Sequence, residues 1–91
     1  MGLFGEKHSY SELFSEEELR EIDNCVLSRM SKGLLYETMG NALHYYLSNS
    51  DKKFSKGKFA KFVKIAKEFK KVDPETDAIL QKAIDKISKI I

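Results

Sequence analysis

Pro74 is the only proline in the chain, and it limits the fold more than any other residue. Its ring disfavours helical backbone at the residue before it and suits the first position of a new helix. Asp73-Pro74 is therefore read as a boundary, with Asp73 as the cap of the last helix. Beyond it, Ile79, Leu80, Ala83, Ile84, Ile87, Ile90 and Ile91 form one stripe at helical spacing. Such a stripe must be buried. In a chain of 91 residues the burying surface has to come from the other helices of one small domain, or from a second copy.

Three further helices can be read upstream. Ser15 and Glu18 have capping-box spacing, and Glu16, Glu17 and Glu18 sit where the positive end of a helix dipole favours anions. Leu19, Ile22, Val26 and Met30 continue one face, and Gly33 is the expected stop in a left-handed conformation. The next helix is expected over 34–47, with Leu35, Met39, Ala42, Leu43, Tyr46 and Leu47 inward. Gly40 interrupts it at about 1 kcal/mol relative to Ala, a cost that a close helix crossing offsets. Ser48-Asn49-Ser50-Asp51 reads as a turn. The third helix lies within 55–72, with Phe59, Phe62, Val63, Ile65, Ala66 and Phe69 over half its circumference.

The expected fold is all-α: a small antiparallel four-helix bundle, or a compact helical array, over residues 15–91. Residues 1–14 form an N-terminal segment, partly irregular, with a second capping-box spacing at Ser9 and Glu12. Leu3, Phe4, Tyr10, Leu13 and Phe14 are too apolar for a solvated tail. They are expected to cover the domain or to contact a partner.

Charge is segregated along the chain. The net value is only +2, yet residues 52–71 carry nine lysines against Glu68 alone, while residues 6–23 carry seven acids against two bases. Lys61, Lys64, Lys67 and Lys71 fall opposite the apolar arc of their helix, and Lys56 lies near its start. These five are the candidate site for a polyanion or an acidic partner, since a basic face concentrates anionic ligands in a salt-sensitive way. The plainer reading is a solvated face whose lysines maintain solubility or pair with the acidic first helix. The phenylalanines between the lysines have core spacing, not the exposure that base stacking requires.

Four aromatic residues, Phe4, Tyr10, Phe14 and Tyr45, are candidate protein contacts. Tyr45 and Leu34 fall away from the apolar stripe of their helix. His8, His44 and Cys25 have no spacing that zinc sites use, and Asp51 lacks the run of oxygen ligands of a calcium loop. No metal or cofactor is expected. Cys25 beside Val26 reads as a packing residue, not as a nucleophile with His44 as base, and there is no phosphate-binding glycine loop. The opening residues carry Glu6 where N-myristoylation requires Ser or Thr. No secretory signal is expected, and a single cysteine fits a reducing, cytoplasmic setting.

These features favour a non-catalytic helical interaction or regulatory module that binds another protein, with self-association as a homodimer among its forms. The alternative is a nucleic-acid-binding module using helix 55–72 on phosphates. A membrane surface ranks lower, because the apolar face such a helix would insert is needed for the core.

Overall fold

The computed structural model describes residues 6–91, so Leu3 and Phe4 lie outside the described residues. Among the described residues there are five α-helices: α1 (Tyr10–Leu13), α2 (Glu16–Leu27), α3 (Leu34–Ser48), α4 (Lys56–Val72) and α5 (Asp77–Ser88). Two strands of two residues each, β1 (Lys7–His8) and β2 (Phe54–Ser55), pair antiparallel with Lys7 opposite Ser55 and His8 opposite Phe54. The all-α class holds. The simple count of four helices does not, because the N-terminal segment adds a helical turn and a strand.

The four long helices form a closed cycle in which α2 packs on α3, α3 on α4, α4 on α5, and α5 on α2. Side-chain contacts give the sense of the α2/α3 and α3/α4 pairs. Val26 and Met30 meet Gly40, whereas Asp23 meets His44, so α2 and α3 run in opposite directions. Tyr36 packs on Phe69, whereas Tyr46 packs on Phe62, which sets α3 against α4 in the same way.

Local chemistry sets most boundaries. Ser15 Oγ accepts from the Glu18 amide at 3.1 Å, and a Glu18 carboxylate oxygen accepts from the Ser15 amide at 2.9 Å. Both halves of the expected capping box are thus made. At Ser9 the box closes from the Glu12 side: the Ser9 amide donates to Glu12 Oε2 at 2.9 Å and the Ser9 hydroxyl to the same oxygen at 3.0 Å. Ser55 caps α4 through a long bond from the Lys58 amide, 3.4 Å.

Several boundaries differ from expectation. The first long helix ends at Leu27, and a 3-10 turn over Met30–Lys32 covers the distance to Gly33. Gly33 is extended, with φ 159° and ψ 173°, and serves as the N-cap of α3 in place of a left-handed stop. Pro74 opens a 3-10 turn, Pro74–Thr76, and α5 starts only after it. Asp73 caps that turn, accepting from the Glu75 amide at 3.2 Å.

The core contains Leu19, Ile22, Val26, Leu43, Tyr46, Leu47, Phe59, Phe62, Phe69, Leu80, Ile84 and Ile87. Ile79 and Ile90 pack at its edge, but Ile91 lies past the end of α5 and is 47% exposed. Leu35, expected inward, is also exposed. In the first turn of α3 it is Tyr36 that faces the core, its ring 5.9 Å from that of Phe69 and its hydroxyl donating to the Val72 carbonyl at 2.9 Å, which turns Leu35 outward. Gly40 does mark a close crossing: a Cβ there would stand 2.5 Å from Met30 Cγ and 3.5 Å from Val26 Cγ1.

Tyr10 and Phe14 are core residues, at 0% and 4% exposure, and neither offers a surface to a partner. Of the two roles expected for the N-terminal segment, covering the domain is the one the structure shows for these two. Tyr10 stacks on Phe59 at 4.5 Å between ring centroids and lies within reach of Phe54 and Phe62. The backbone is tied in as well: the Ser11 amide donates to the Ser50 carbonyl at 2.9 Å.

Candidate interaction face

The lysine helix stands across the core from the acidic one. Both α2 and α4 pack mainly on α3 and α5, so their outer faces point to opposite sides of the molecule. Charge segregation along the chain therefore becomes charge segregation in space. The acidic helix finds its cations on α5, not on α4: Lys86 Nζ donates to Glu18 at 2.8 Å and Lys82 stands 3.8 Å from it. The hydrogen bond from Lys86, reinforced by the Ser15 amide, holds the Glu18 carboxyl at about 2.

On α4 the lysines sort into two groups. Lys56 lies 3.6 Å from Glu6, Lys71 lies 3.6 Å from Glu68, and Lys70 pairs with Asp77 at 3.0 Å while also reaching Gln81. Lys61, Lys64 and Lys67 are exposed and have no acidic partner within 4.0 Å among the described residues. They succeed one another at steps of three residues, about 4.5 Å of helix rise per step. Of the five lysines singled out in the sequence, these three form the free middle of the row. Lys56 and Lys71 are its compensated ends.

Beside the row, α3 and α4 leave a groove of about 290 Å³ lined by Met39, Ile65, Lys61, Lys64 and Glu68. Its floor is apolar and its rim carries two of the free ammonium groups. Leu35 precedes Met39 by one helical turn and is 55% exposed, so the apolar strip continues toward the start of α3. The groove is hidden in the sequence. Helical spacing directs Met39 and Leu35 inward, and nothing in linear order places Ile65 beside Met39.

Tyr45 is 46% exposed and stands apart from this groove, near the start of α4. Lys52 Nζ donates to its hydroxyl at 3.2 Å. Elsewhere, His44 Nδ1 is bonded to Asp23 Oδ1 at 2.7 Å, and burial pushes the Cys25 thiol up, toward its protonated form. Among the described residues no group of three or more His, Cys, Asp and Glu side chains is placed to hold a metal ion. Among the same residues no helix is long and apolar enough to cross a membrane.

No protein-family model, no curated protein and no solved structure matches the chain.

Proposed function

We propose that the protein is a non-catalytic interaction module that holds an acidic, amphipathic segment of another protein in the α3/α4 groove. One observation carries this reading: an apolar floor, Met39 and Ile65, lies directly beside free lysines, Lys61 and Lys64. An amphipathic helix or strand lays apolar anchors into such a groove, and acidic residues flanking them meet the ammonium groups. The lysines then contribute on-rate and partner choice, and the apolar contact contributes most of the affinity. The setting in this reading is a reducing compartment, the cytoplasm, in keeping with one unpaired cysteine, Cys25.

Self-association adds little to this proposal. The surfaces that suggest it, the isoleucine stripe and the aromatic N-terminal residues Tyr10 and Phe14, are largely occupied within one chain.

The second reading, binding of nucleic-acid phosphates by the same helix, is favoured by the uncompensated row Lys61, Lys64 and Lys67. Lysine ammoniums contact phosphates without reading bases, so such binding is indifferent to sequence. It leaves the apolar floor without a role, which is why it ranks second.

Capture from native lysate, with and without nuclease, separates the two. The protein reading expects a nuclease-resistant partner that is lost when Lys61 and Lys64 are replaced by Gln. A partner that disappears on nuclease treatment contradicts it.

A further inference from the structure

At the other end of α4 is a second concavity, of about 290 Å³, to which β1, α3, the loop before β2 and the first turn of α4 each contribute. Lys7, Lys52, Lys53 and Lys58 line it, with Tyr45 as an aromatic wall. Asp51 precedes Lys52 in the chain but forms no ion pair with it within 4.0 Å, and the two acids of the N-terminal segment are already engaged. Glu12 is held by Lys53 at 2.6 Å, and Glu6 lies 3.6 Å from Lys56. Lys7, Lys52 and Lys58 face no carboxylate within 4.0 Å among the described residues.

Lys52 is positioned by neutral groups only. Its ammonium donates to the Tyr45 hydroxyl at 3.2 Å and stands 5.7 Å and 5.6 Å from the ring centres of Tyr45 and Phe54. Three uncompensated ammonium groups brought to one concavity by separate elements repel one another, and a bound anion relieves that repulsion. The start of α4 at the same rim adds a positive dipole end, a contribution secondary to the lysines. Concavity, charge and an aromatic wall together suit a compact dianion carrying a small organic group better than an extended polymer.

We propose that this concavity is a binding site for a small phosphate monoester, with Lys7, Lys52 and Lys58 as the phosphate ligands and Tyr45 against its organic part. The site is distinct from the α3/α4 groove and shares none of its lysines, so either can fail without the other. Phenyl phosphate is the probe, added to the full chain labelled with nitrogen-15 and tracked by amide shifts, with sodium chloride at matched ionic strength as control. The expected result is saturable shifts confined to Lys7, Tyr45 and residues 52–58. Affinity falls about tenfold in the Lys52→Gln/Lys58→Gln variant and is unchanged in Lys64→Gln/Lys67→Gln. Shifts that appear equally with sodium chloride overturn the proposal, as do shifts spread along Lys61–Lys71 or unchanged affinity in the first variant. These lysines are exposed, so both variants retain the fold, and the unperturbed amide spectrum verifies it.

Discussion

Arg29 Nε donates to Asp73 Oδ2 at 3.0 Å, joining side chains 44 residues apart at the junction between α4 and α5. The Asp73 side chain is only 2% exposed. Burial opposes its charge, but the hydrogen bonds from Arg29 and Lys32 outweigh that cost and keep its carboxyl below the usual range. The same carboxylate caps the turn at Pro74 through its other oxygen. Asp73 thus closes α4 through its backbone amide, which donates to the Phe69 carbonyl at 2.9 Å, while its side chain opens a turn and anchors the 3-10 segment that leads into α3.

Replacing Asp73 by Ala removes the cap and leaves Arg29 without its buried partner. We expect a loss of about 2–4 kcal/mol, below the full value for a wholly buried pair because Arg29 remains partly solvated. Urea denaturation measures it. A loss under about 1 kcal/mol, the size of a cap alone, removes the ion pair from the account.

Glu18 gives the molecule an acid-sensitive link. Its carboxyl is held at about 2, against an ordinary 4.5, first by Lys86 and then by the Ser15 amide. A depressed carboxyl contributes stability that is complete above the unfolded value and is lost as pH falls through the folded one. The denaturation midpoint should therefore decline as pH drops from about 4.5 toward about 2. Glu12, also held at about 2 by Lys53 and Ser9, adds to the same window. Lys86→Gln should flatten this decline; an identical pH dependence in the variant counts against the Lys86–Glu18 link.

The Tyr10 hydroxyl is buried with no hydrogen-bond partner among the described residues. Burial pushes its ionisation up, with Tyr46 adding to the effect, so the phenol stays neutral. A buried unsatisfied hydroxyl costs about 1–3 kcal/mol, and removing it while keeping the ring recovers part of that. Tyr10→Phe should raise the thermal midpoint, corresponding to about 1 kcal/mol. A lower midpoint would mean that the hydroxyl has a partner in solution.

Gly40 and Met30 should be coupled. Alanine at Gly40 gains about 1 kcal/mol of helix propensity but drives its Cβ into Met30 Cγ. In the wild-type background we expect a net loss of about 1–2 kcal/mol from overpacking. With Met30 cut back to Ala, Gly40→Ala should instead stabilise. A double-mutant cycle in urea reads this reversal directly. Independent, additive effects would mean that the helices do not cross closely here.

The extent to which the sequence foreshadows this structure varies by element. The boundaries at Ser15 and Asp73 are visible because each depends on residues within a few positions, whereas the start of α4 at Ser55 is obscured by the early Gly57 and by Lys58 within the apolar arc. The inward face of α4 is visible because Phe59, Phe62 and Phe69 repeat with its turn. Tyr10 is ambiguous because its burial depends on Phe54 and Phe59, distant in the chain. Arg29 carries no local sign of Asp73. The lysine row is legible as charge, but the groove beside it depends on Met39 meeting Ile65 across two helices. Lys7, Lys52 and Lys58 carry no signal singly, and only the pairing of β1 with β2 brings Lys7 to the start of α4.

Binding in the α3/α4 groove can be read by fluorescence anisotropy. The labelled probes are a model helix with leucines on one face and glutamates beside them, and a duplex DNA, each at low and physiological salt. The model helix should bind, and its affinity should persist in part at physiological salt, because the apolar contact is not screened. Lys61→Gln/Lys64→Gln should weaken it about tenfold, and Leu35→Ala should weaken it without changing its salt dependence. Duplex DNA should bind only at low salt. The contradicting result is a model helix that fails to bind while DNA binds with a log–log salt slope of about −0.9 per phosphate.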